Sequence, residues 1–128
     1  MGASSLLRFA ILLDAIFIAI GHVWYVRAIF RAPLIGGYFL VSLLLFLAGG
    51  IVVVVAGGKL FRFANIGLIL LAIIDNALIV YTRTMPSPFF NGRVLSWSAG
   101  WFPTGVVQVF IAQTILIIMS AYALKKAG

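Results

Sequence analysis

Four apolar stretches, set apart by connections that hold most of the basic residues, restrict this chain more than anything else in it. They run over Leu6–Val26, Leu34–Ala56, Phe61–Tyr81 and Gly105–Leu124. A helix needs about 20 such residues to cross a bilayer core of about 30 Å. A water-soluble fold would have to bury all four runs with almost no polar face left for solvent. The spacing therefore predicts an all-α integral membrane protein: a single membrane domain, residues 1–128, folded as an antiparallel four-helix transmembrane bundle. The first run is long, contains Asp14 and His22, and is followed by Arg27 and Arg31 rather than by small residues. It reads as a retained span, not a cleaved leader.

Charge supports the same class. The 128 residues are 65% hydrophobic and 9% charged, with nine Lys and Arg against two acids and a net charge of +7. In a soluble domain such an excess suggests nucleic acid. Here the bases flank the apolar runs, where they anchor helices at lipid headgroups, and no nucleic-acid partner is expected. Cysteine is absent, which removes disulfides, thiolate metal sites and thiol redox chemistry. One His and two acids at different depths fall short of the three or four ligands of a zinc site, so no metal is expected. A haem would have only His22 and, in a loop, Met85. No Ser-His-acid spacing supports nucleophilic catalysis; no cofactor is expected, and the chain reads as a non-enzyme.

The second run repeats small residues at heptad spacing, Gly50 with Gly57 and Gly49 with Ala56, a pattern that lets another helix approach closely. Gly57-Gly58-Lys59 makes the turn into the third run, so the second and third form a helical hairpin. The single long connection, Thr82 to Thr104, contains Pro86, Pro88, Pro103 and the turn pair Asn91-Gly92. It is also aromatic, with Phe89, Phe90, Trp97, Trp101 and Phe102. Such a segment belongs in the headgroup zone or over the bundle mouth, and Val94 to Trp101 reads as a short interfacial helix. Gln113 and Ser120 share one face of the last run.

Inside the third run stand an acid and an amide, Asp75 and Asn76. A carboxylate in hydrocarbon costs about 2.5–3.5 kcal/mol even on the lenient insertion scale, so it needs a partner or a proton. Depth can be counted from the flanking bases at about 1.5 Å per residue. That count puts His22, Tyr25, Tyr38, Asp75, Asn76 and Gln108 in one layer, and Asp14 nearer the opposite end. Two readings stand side by side. In one, the layer is a buried polar network that holds helices in register. In the other, Asp75 and His22, with Asp14 as a second station, carry protons or ions. Trp97, Trp101, Phe102, Tyr25 and Tyr38 are the candidate contacts for a lipid or quinone tail.

Four short spans with an acid in the first resemble the layout of small multidrug-resistance transporters, whose first-helix Glu binds protons and cations. The resemblance implies that role for Asp14. The chain departs from that pattern in its extra acid, Asp75, and in its long aromatic third connection. By layout alone it also resembles the four-span small subunits of quinol-oxidising systems. With no complete catalytic set, the leading expectation is a non-catalytic accessory or interaction subunit of a larger membrane complex. A small proton- or cation-coupled transporter or channel comes next, then a lipid- or quinone-binding membrane protein. Partners would be membrane lipid and other membrane subunits or further copies of the chain as a homo-oligomer. Arg8, Lys59, Arg62, Lys125 and Lys126 against Arg27, Arg31, Arg83 and Arg93 favour a plasma-membrane protein with both termini cytoplasmic.

Overall fold

The structure, a computed structural model, describes residues 5–26, 30, 32–86, 92–95, 97 and 105–127, with the side chains of residues 24 and 127 excepted. It is all-helical, with no strand among the described residues. The four helices are α1 (Ser5–Val26), α2 (Pro33–Val55), α3 (Gly58–Thr84) and α4 (Val106–Ala127), each long and apolar enough to cross a membrane.

Local chemistry sets their ends. Pro33 opens α2 from the first turn, where its missing N–H is not needed. Ala56 and Gly57 are extended, and Gly58 turns the chain with φ +57°, a left-handed value that suits a residue without Cβ. The sequence places the start of the third span at Phe61 and its end at Tyr81. In the structure α3 begins at Gly58 and continues to Thr84, since nothing before Pro86 forbids helix. Met85, the residue preceding that proline, is extended at φ −135°, ψ 150°. The expected short helix from Val94 to Trp101 is not formed at its described positions: Val94 and Leu95 are non-helical and Trp97 lies in a turn. The Leu95 N–H instead donates to Thr82 O at 2.8 Å, tying this connection to the end of α3. Trp101 and Phe102 lie outside the described residues.

Each helix packs on two neighbours, so α1, α2, α3 and α4 close a ring. At one end Arg8 Nη1 donates to Val53 O (2.8 Å) and Ala56 O (2.7 Å), setting the start of α1 beside the end of α2. Its guanidinium also stacks on the Phe61 ring of α3, 4.3 Å from the centroid. At the other end Tyr25 of α1 meets Phe39 of α2, with ring centroids 5.2 Å apart. Between them the core holds Ile11, Ile18, Phe46, Leu68, Ala72 and Leu116, all buried.

The adjacent glycines of α2 serve two different neighbours. A Cβ on Gly49 would come within 2.7 Å of Leu68 Cδ2 in α3, and one on Gly50 within 3.0 Å of the Ala15 Cβ in α1. The heptad partner expected at Gly57 packs against nothing within 4 Å, because it lies in the turn. Close approach therefore comes from one glycine pair facing two ways, not from a heptad stripe.

The distribution of polarity is inverted relative to a water-soluble protein. His22, Ser42, Asn65, Asp75, Thr82, Gln113 and Ser120 are buried, whereas Leu13, Leu44, Ile74 and Ile118 are more than half exposed.

Candidate functional site

Asp75 projects from α3 between α1 and α2 and is 4% exposed. Its Oδ2 lies 3.2 Å from His22 Nε2, and its Oδ1 accepts a hydrogen bond from the Tyr38 hydroxyl at 2.7 Å. The second ring nitrogen of His22, Nδ1, is 2.8 Å from Ile18 O, one turn back on α1. A carbonyl oxygen can only accept, so Nδ1 carries a proton. The Nε2–Oδ2 contact then needs one proton between the two atoms; a bare nitrogen lone pair facing a carboxylate would be repulsive. Wherever along the contact that proton sits, His22 and Asp75 together are electrically neutral. Burial is thus affordable for both groups, because the pair is neutral and its hydrogen-bonding atoms are used. Phe39 and Phe46 hold the imidazole plane, at 5.8 Å and 5.6 Å between centroids.

Asn76 adjoins Asp75 in sequence but is turned by about 100° around the helix. It faces α4, where its Nδ2 donates to Thr114 Oγ1 at 3.2 Å and its Oδ1 accepts from Gln113 Nε2. The acid and the amide therefore belong to separate clusters. Gln108 joins neither: its Oε1 accepts from the Gly105 N–H at 3.1 Å and closes the first turn of α4. Asp14 stands eight residues before His22 on α1, about 12 Å along the axis, with its Oδ2 buried and unpartnered among the described residues.

Beside the His22–Asp75–Tyr38 cluster, residues of all four helices line a cavity of about 320 Å³. Its floor and sides include Gly21, His22, Tyr38 and Asp75, with Leu34, Ile35, Phe39, Leu78, Val106 and Val109 as apolar wall. Ile79 adds to the apolar wall, and Tyr25, Thr82 and Arg83 complete the lining toward the ends of α1 and α3. No family, curated protein or solved structure matches this chain.

Of the aromatic contacts expected from the sequence, Tyr25 and Tyr38 line this cavity. Trp97 stacks edge-on against Phe110 of α4, 5.9 Å between centroids, and is not part of the lining. Arg83 and Thr82 are lining residues that sequence reasoning did not single out as a site. From sequence Arg83 is a headgroup anchor; in the structure its Nη1 donates to Thr82 Oγ1 at 2.7 Å. The signal that would have found it is the Thr82-Arg83 pair itself, a hydroxyl acceptor immediately before the base. Among the described residues no group of three His, Cys, Asp or Glu side chains could hold a metal.

The chemistry available here is limited. The cavity offers a large apolar wall, one neutral proton-sharing pair, two phenols and one guanidinium.

Proposed function

We propose that this chain is an antiparallel four-span membrane protein that holds a lipid- or quinone-like ligand within its bundle. The observation that carries this reading is the cavity of about 320 Å³, apolar over most of its wall with polar groups gathered at His22, Tyr38, Asp75 and Arg83. Small-molecule sites have this character: a concave volume of about 300–1,000 Å³, mostly apolar, with a few placed polar groups. Insertion in a membrane is supported by four helices of sufficient length and by polar side chains turned inward with leucine and isoleucine turned out. Lys59, Arg62, Lys125 and Lys126 at the end that carries both termini favour a cytoplasmic position for it in the plasma membrane.

The accessory-subunit expectation has no comparable geometric feature behind it. The proton-path reading is less favoured, since Asp14 stands apart from the His22–Asp75 pair and bulky apolar side chains such as Phe46, Leu68 and Leu116 fill the core. The test is extraction of the purified protein with organic solvent, followed by mass spectrometry. Wild type is expected to release a stoichiometric amphiphile, and Val109→Trp, which fills the cavity from α4, is expected to release none. Identical extracts from the two proteins would overturn the reading.

A further inference from the structure

We propose that the occupant of the cavity is an acyl chain carrying a single negative charge, seated on Arg83. This inference rests on the ligand-binding reading above and specifies the ligand's chemistry.

Three lining residues are charged or chargeable at neutral pH: His22, Asp75 and Arg83. The proton shared between His22 and Asp75 makes that pair neutral, and Tyr38 donates to it as a neutral phenol. The lining therefore carries a net charge of one positive unit, that of Arg83. A half-buried guanidinium with no carboxylate in ion-pair contact among the described residues favours an anion. Asp75 does not fill that need: it makes no ion pair with Arg83 among the described residues, and its charge is already matched in the neutral pair with His22.

Arg83 is also incompletely bonded. One nitrogen, Nη1, donates to Thr82 Oγ1, whereas Nε is buried with no hydrogen-bond partner among the described residues. A basic residue at a helix end ordinarily extends its head into water. Here the side chain is half-buried and lines the cavity, with an N–H donor left over. A carboxylate or phosphodiester oxygen completes that donor and neutralises the charge, with the strength of a charge-assisted bond. The remainder of the cavity is lined by Leu34, Ile35, Phe39, Leu78, Val106 and Val109, which suits a methylene chain. The volume of about 320 Å³ is at the low end for a small-molecule site, which favours one chain over two. A neutral quinone head would leave Arg83 uncompensated, and a cation would be repelled by it.

A negatively charged acyl chain reaches such a site from two sources, a free fatty acid or one chain of an anionic phospholipid. The experiment separates them. The full chain is reconstituted in phosphatidylcholine nanodiscs and titrated with doxyl-labelled stearate and its methyl ester, then with doxyl-labelled phosphatidylglycerol and phosphatidylcholine. The readout is the immobilised fraction of the spin-label spectrum. Wild type is expected to prefer the charged member of one pair by at least about tenfold, the effect of one charged hydrogen bond. The pair that shows the preference identifies the source. Arg83→Gln is expected to abolish the preference while leaving the uncharged probe bound, and Arg83→Lys to keep most of it. Charged and uncharged probes held equally by wild type and lost in Val109→Trp would overturn the charge assignment and leave the cavity reading standing. Preference that survives Arg83→Gln would also overturn it. Absence of any immobilised probe in wild type would overturn both.

Discussion

The two ends of this bundle solve the same packing problem in opposite ways. Around Gly49 and Gly50 the packing is close: a Cβ on Gly49 would come 2.7 Å from the tip of the Leu68 side chain, and one on Gly50 3.0 Å from the Ala15 Cβ. Around His22 the helices are joined through polar side chains, His22, Asp75 and Tyr38, and a cavity lies beside that cluster. The difference lies in what fills the seam. Small residues let backbones approach, whereas Phe39, Tyr38 and His22 join the helices through bulky and polar side chains. A membrane bundle gains no hydrophobic advantage from closing such a gap, because lipid tails are as apolar as leucine. A cavity can therefore persist beside a tightly packed seam, where the proposed ligand would sit.

The sharpest way to break this contrast is at the polar floor. Asp75→Ala leaves His22 and Tyr38 buried without their shared partner, and should lower stability by about 3–5 kcal/mol, read as a fall in melting temperature in detergent. Replacing the whole cluster, Asp75→Leu with His22→Leu and Tyr38→Phe, should recover most of that loss, since a well-packed apolar substitute removes the unmet demand. Failure to recover would mean that the cluster contributes more than satisfied polarity. At the tight end, Gly50→Leu should cost about 1–3 kcal/mol through overpacking against Leu12 and Ala15. The matching enlargement at the cavity, Val109→Trp, should cost less than about half of that, because it grows into space already present; equal losses would show the two ends to be equally close-packed. The smallest effect is expected at the α3–α4 amide seam. Gln113→Leu should change stability by about 0.6 kcal/mol, the usual worth of a hydrogen bond between helices in a membrane.

Counting residues from flanking bases fixes height in a bundle and says nothing of azimuth. That is why one layer drawn from the sequence contains His22, Tyr38 and Asp75, which meet, together with Gln108, which bends back to Gly105, and Asn76, which faces α4. Adjacent positions on a helix point about 100° apart, so an acid and an amide side by side in sequence are natural members of different clusters. The four apolar helices are legible because twenty-residue runs leave few alternatives. Their ends are legible where Pro33 stands, and less so for α3, which starts at Gly58 before its first bulky residue and runs past Tyr81 to Thr84. Buried Asn65 and Ser42 escape notice in sequence because single small polar residues are common in membrane spans. The cavity is illegible altogether: an unfilled volume depends on how side chains from four helices fail to meet, and no one segment encodes it.

The clasp formed by Arg8 bears on a puzzle of the whole chain, nine bases against two acids. Its guanidinium is matched by the terminal carbonyls of α2 and by the face of an aromatic ring, so its counter-charge is supplied by peptide dipoles and π electrons. A protein that answers cations in this way has no need of glutamates along its seams. It can stay strongly electropositive and still knit its helices together, leaving both of its carboxylates for tasks other than neutralising arginine.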